Sequence, residues 1–321
     1  MSPEVTAAII AASVSFLTLI GTLAAQYFGH RATSRDTQKS FAEQHEQLDR
    51  TLAEQRTRTL NERFATAAGQ LGDDKPPTVR LAGVYAMADL ADDWPENRQT
   101  CVEVLCGYLR MPYGPDPGQD APEPERLSFR ASREVRHTVI RVLTAHLKDD
   151  AAVSWQGLNF DFTGAVFDGG DFSDAVFSGG TVDFSDAVFS GGTVDFSHAR
   201  FSGGTVYFSH ARFSGGRVDF SHARFSGGTV YFSHAVFSGG RVDFFRAVFS
   251  GGRVAFAASG SFGFPAPSAV FSGGQVDFSH ARFSGGTVDF RNPRDWSFPP
   301  AFPWTDTPPP GVMLPKKKAA G

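Results

Sequence analysis

The residues of this chain best suited to chemistry stand three apart and recur: Asp195 with His198, Asp219 with His222, and Asp277 with His280, while Asp243 is followed at the same distance by Arg246. Carboxylates and imidazoles repeated in this way could chelate a metal ion or titrate near neutrality. Repetition, however, copies any residue pair whether or not it is used, and nothing suggests a pocket to orient a substrate. The expectation is therefore a protein that is not an enzyme, with no catalytic residue, no cofactor and no metal site. A second set alternates with the first: Tyr207 with His210, and Tyr231 with His234, take the places held elsewhere by Asp and His. With Arg200, Arg212 and Arg224 on neighbouring sides, these are residue types that interfaces favour. Together with Phe262 and Phe264, in an insertion of ten residues between Phe256 and Phe271, they are the candidate partner contacts.

What must position these residues is a ladder of phenylalanine running from Phe162 to Phe290, with steps of five residues at first and then of seven and five in alternation. It accounts for 21 of the 32 Phe in a composition that is otherwise ordinary for a globular chain. Two positions before most of these Phe stands Ala or Val, as Ala187 before Phe189 and Val194 before Phe196. Residues two apart share one face of extended chain, so both point inward while Val188, Asp195 or Arg200 faces water. Ser and then Gly, Asp or His follow each Phe, which are turn residues. Pairs such as Gly191-Gly192 and the lack of helical spacing exclude a helix. A short fixed period means a solenoid, whose units bury their apolar face only against neighbours.

The units Ala165-Val166-Phe167-Asp168-Gly169 and Ala175-Val176-Phe177-Ser178-Gly179 resemble, residue by residue, those of the pentapeptide-repeat family, in its membrane-anchored bacterial form. The resemblance implies a right-handed parallel β-helix of quadrilateral cross-section with one pentapeptide per side. This chain departs from the pattern where Gly-Gly-Thr or Gly-Gly-Arg lengthens alternate sides, so wider corners are expected there. The alternation of Tyr207 and Tyr231 with Asp195, Asp219 and Asp243 doubles the period to twenty-four residues per coil. Phe184, Phe208, Phe232 and Phe256 should then stack on one side, and Phe196, Phe220, Phe244 and Phe278 on the opposite one. About five coils, spaced roughly 4.8 Å apart, are expected.

The whole chain reads as α+β: residues 1–30 a transmembrane helix, 31–71 a juxtamembrane helix, 78–150 a small helical domain, 157–290 the β-helix, and 291–321 an aromatic, Pro-rich cap with a basic tail. From Val5 to Phe28 there is no charged residue, and at about 1.5 Å per residue the run spans a hydrocarbon core. A secretory signal is the rival reading, but it wants a basic start and a shorter apolar run, whereas Glu4 stands here. His30, Arg31, Arg35 and Lys39 follow the span, which predicts a single-pass protein of the cell membrane with its C-terminal body in the cytoplasm. Phe41, Leu48, Leu52, Leu60 and Phe64 form a thin stripe compatible with a homo-oligomeric coiled coil or with a single surface-lying helix.

Helical patterns follow over Val79–Ala91, Glu96–Arg110 and Ser132–Lys148, with the stretch Pro112–Pro124 as a loop. Cys101 and Cys106, five apart, read as core thiols. The bundle is expected to cover the first coil, and the aromatics from Trp296 to Trp304 the last, their prolines refusing further pairing. Residues 308–321 read as disordered.

Three functional classes follow. The first is a membrane-tethered scaffold that meets the lipid bilayer and an unidentified protein partner. The second is a DNA mimic that binds topoisomerase, as some members of the resembled family are. Such mimics present a strongly acidic rod, whereas this solenoid carries Arg200, Arg212, Arg217, Arg224, Arg241, Arg253 and Arg282, and the net charge is only −4. The third is an ice-binding Thr column, which is spoiled where Thr193 gives way to Arg217, Arg241 and Gln275. No nucleic-acid partner is expected of so weakly charged a chain.

Overall fold

The computed structural model describes residues 3–72, 74–257 and 268–316, and within the first helix the side chains of 3–15, 17, 28–40 and 42 lie outside that description. Residues Met1–Glu62 and Arg63–Gly321 form two separate compact units.

The first unit is helical, the greater part of α1 (Pro3–Gln70). Among the described residues no helix is long and apolar enough to cross a membrane. Most of the expected span over Val5–Phe28, with His30, Arg31, Arg35 and Lys39 after it, lies outside the described side chains. Phe16, Leu19, Ile20, Leu23 and Tyr27, which are described, are all exposed, as are Phe41, Leu48 and Leu52. The polar stretch between is supported by pairs at helical spacing, Arg50 with Glu46 and Arg58 with Glu62.

In the second unit, α2 (Pro77–Asp93), α3 (Arg98–Arg110) and α4 (Glu123–Leu147) pack on one another, burying Val84, Met87, Leu105, Leu109, Val139 and Leu143. α4 starts nine residues before the expected Ser132 because Pro124 fits its first turn, where a missing N–H costs nothing, and Glu123 and Glu125 complement the positive helix start. Cys101 and Cys106 are free and buried. Burial pushes the Cys101 thiol up to about 11 and that of Cys106 higher still, so neither is a thiolate at neutral pH.

Beyond the helices, register decides the architecture. Phe213 pairs with Phe237 and Val194 with Val218 in parallel strands, so one coil takes twenty-four residues. Four parallel sheets result. The first face runs from Phe160–Asp161 to Val312–Met313 through seven strands; the second, third and fourth have five each, starting at Val166–Phe167, Gly170–Asp171 and Val176–Phe177. The extra two residues of alternate sides go into the first and third faces, whose repeated strands are three residues long against two on the others. Rings then stack at the strand spacing: Phe184 on Phe208 and Phe208 on Phe232 at 4.8 Å, Phe196 on Phe220 and Phe220 on Phe244 at 4.9 Å, all nearly parallel and buried.

The two ends are covered. At the start, Arg136 of α4 donates to the carbonyls of Leu109 and Val166, both at 2.8 Å, and Thr144 donates to that of Asp171 at 2.7 Å. Trp155 stacks on His146 at 3.8 Å, and both bond Asp92. At the other end, Trp296 meets Phe271 edge-on at 5.0 Å and Trp304 meets Phe283 at 5.2 Å.

The prolines do not end the pairing, however. Asp295 bridges Val270, Ala301 bridges Asp277, and Val312–Met313 pairs with Val288–Asp289. Residues 295–313 therefore add a partial coil, in which Val312–Met313 come from the stretch expected to be disordered. Seven strands on the first face make six turns where the Phe ladder alone implied about five.

Candidate interaction surface

The Asp and His that stand three apart are brought together by a corner. Asp195 Oδ1 accepts the backbone N–H of Ser197 at 2.7 Å, and Asp219 and Asp277 do the same for Ser221 and Ser279 at 2.8 Å. This side-chain turn holds the chain as it leaves the strand. The next residue takes a left-handed backbone: φ is 60° at His198, His222 and His280, 56° at Arg246 and 52° at Asn292. Asp, Asn and His tolerate that region better than most residues. The corner thus accounts for the spacing that looked like metal chemistry, and among the described residues no group of His, Cys, Asp and Glu could hold a metal ion.

Nor do all the Asp face water. Asp195 is half-buried, but Asp219 and Asp243 are buried. The reason is a ladder of charge on the third face. Arg217 Nη2 lies 2.8 Å from both Asp219 and Asp243, and Arg241 Nη2 lies 3.0 and 2.9 Å from Asp243 and Asp277. Each guanidinium lies over its own coil and the next, and closes off the carboxylates beneath.

On the first face, where Tyr replaces Asp, register stacks Tyr207 on Tyr231 with centroids 5.3 Å apart and planes 10° apart. At the adjoining corner His210 stacks on His234 at 4.3 Å. His210 is exposed, while Tyr207, Tyr231 and His234 are half-buried because each ring covers its neighbour. Burial, and then the neighbouring His210 and Arg294, draw the His234 imidazole below its ordinary value. Four of the six candidate residues therefore form two aromatic stacks, one of phenol rings on the first face and one of imidazoles at its corner. Phe262 and Phe264 lie outside the described residues.

Two features were missed by the sequence reading. Asp168, where the solenoid meets α4, accepts from Tyr113 at 2.9 Å and pairs with His137 at 3.1 Å and Arg133 at 3.0 Å. Burial works to raise its pKa, but these three partners hold the carboxylate below the usual range. Its partners sit 31 to 55 residues away, so only Arg136, a charge beside Val135 in an otherwise apolar stripe, signalled that this face of α4 meets polar backbone. The other is the column of Arg and Ser on the fourth face, where Arg200, Arg224 and Arg282 line a shallow groove of about 540 Å³ with Ser202, Ser226 and Ser250. Its signal was the Arg that replaces Val in the unit Ala-Val-Phe-Ser.

The family described as pentapeptide repeats (9 copies) matches residues 162–212, roughly the first two coils. No curated protein and no solved structure matches the chain. Five-residue units, four faces and stacked central Phe agree with that match, and the chain carries a solenoid built of pentapeptide repeats.

Proposed function

We propose that this protein is a non-catalytic interaction scaffold, tethered to a membrane, whose β-helix offers the Tyr207/Tyr231 and His210/His234 stacks to a protein partner. The observation that carries the reading is the stack itself. A Tyr pair in register on a rigid parallel sheet presents aromatic area with little conformational freedom left to lose on binding, and aromatic residues dominate binding energy at interfaces. The tether rests on the uncharged run Val5–Phe28 and on the exposure of Phe16, Leu19, Ile20 and Leu23, which nothing in their own unit covers. Arg31, Arg35 and Lys39 favour a cytoplasmic body. Exposed Phe41, Leu48 and Leu52 are a seam through which α1 could pair with a second copy. DNA mimicry is disfavoured, because Arg217 and Arg241 neutralise the acidic column that would have to imitate phosphate.

Replacing Tyr207 and Tyr231 together by Ser should leave thermal unfolding nearly unchanged and weaken a partner cross-linked at the membrane by about ten-fold. Undiminished capture by the double variant, or an equal loss on changing Asp171 and Asp195 of the third face instead, would show that the tyrosine face is not the contact.

A further inference from the structure

The arginines of the solenoid fall into two sets. On the third face Arg217 and Arg241 are engaged by Asp219, Asp243 and Asp277, and on the first face Arg253 lies 3.6 Å from Asp289. The fourth face has no such acids. Each of its strands shows a single outward residue between inward Ala and Phe, giving Val176, Arg200, Arg224, Val248 and Arg282 in register, and Ser202, Ser226, Ser250 and Ser284 follow the Phe. Arg224 and Arg282 are exposed, and among the described residues no carboxylate lies within ion-pair distance of either. Arg200, at the start of the column, is different. Both oxygens of Asp149, in the acidic turn after α4, lie 2.5 Å from its Nη2.

We propose that the fourth face binds an acidic polypeptide segment laid along the solenoid, with Arg224 and Arg282 taking its carboxylates as Arg200 takes Asp149. The intramolecular pair shows the chemistry the face accepts. A guanidinium presents a planar fork of donors that suits a carboxylate, and the neighbouring serines offer hydroxyls to a peptide backbone. Spacing allows it: two coils separate Arg224 from Arg282, about 10 Å, while side chains on one side of an extended peptide recur about every 7 Å, a difference that long Arg side chains absorb. In a chain of net charge −4 this column is a local positive strip, and it would steer an acidic segment to one face. A single file of arginines between turns matches an extended strand better than a broad headgroup plane. The site is independent of the tyrosine column, which lies on another face.

The test is fluorescence anisotropy of a labelled oligoglutamate peptide titrated with the full chain at low salt, repeated with phosphatidylserine vesicles in place of the peptide. R224S/R282S should weaken peptide binding about five-fold, and R217S/R241S, whose side chains are already engaged, should change it less than about two-fold. Asp149→Asn frees Arg200 and should tighten binding about two-fold. Equal binding by R224S/R282S, no binding by the unaltered chain, or vesicle binding that R224S/R282S abolishes without any peptide binding would each overturn the proposal. Circular dichroism melts of R224S/R282S and Asp149→Asn, expected to overlay the parent because the altered side chains are exposed, separate loss of fold from loss of site, whereas R217S/R241S, which strips the buried Asp219 and Asp243 of their partners, should melt earlier and is titrated below its own transition.

Discussion

The histidines show how a backbone demand can imitate a chemical motif. His198, His222 and His280 hold the one position per corner where φ is positive, and Asp174, Asp186 and Asn292 hold the equivalent position elsewhere in the same solenoid. Residues that tolerate the left-handed region are therefore interchangeable there, and β-branched ones are not. His198→Asn should leave stability unchanged to within about 0.5 kcal/mol, whereas His198→Val should cost about 1–2 kcal/mol. Chemical denaturation of the two variants checks this. Equal losses from both would mean that the imidazole, stacked at 4.9 Å on His222, matters for itself.

At the scale of the element, the Ser-Gly-Gly corner decides whether one coil can lie on the next. A Cβ at Gly216, where φ is 65°, would stand 2.4 Å from the carbonyl oxygen of Gly192 in the coil before it. The neighbour is backbone, held by the ladder from Arg217 N–H to that same oxygen at 2.8 Å, so it cannot step aside. Gly216→Ala should cost about 2–4 kcal/mol, the sum of a left-handed Ala and a forced contact. Gly114→Ala, which meets nothing within 4 Å in its loop, should cost less than about 0.5 kcal/mol. Thermal melts of the pair test whether the corner or only glycine content is at work.

For the molecule as a whole, the solenoid is stabilised at both ends by carboxylates. Asp168 stands at the junction with α4, and Asp289, buried on the first face of the last full coil, is bonded by Arg291 at 2.8 Å. Burial acts to raise both, but their partners outweigh it and both lie below the ordinary carboxylate value. A group whose folded pKa is depressed contributes stability above its unfolded value, near 4, and loses it as pH falls through the folded value. The melting temperature should therefore be flat from about pH 7 to about pH 5 and fall below about pH 4. Asp168→Asn should lower it at neutral pH and make the acid limb shallower. An acid limb of unchanged slope in that variant would place the acid-sensitive contact elsewhere.

The Phe ladder, read with the doubled Tyr alternation, was sufficient for four faces, coil length and ring stacking, because a period of side chains in one strand order admits one register that buries every ring. It also placed Tyr207 with Tyr231 and His210 with His234, since in-register parallel coils stack like residues. Three things depended on contacts between residues far apart in the chain, which no local pattern records. One was that Arg217 and Arg241 close over Asp219 and Asp243, turning an acidic face into a paired one. Another was that Val312–Met313 returns as a strand after prolines, because an open sheet edge supplies the partner that local propensity lacks. The last was that Asp149, from a turn after a helix, reaches Arg200, 51 residues later, and so separates one occupied arginine from two that remain available.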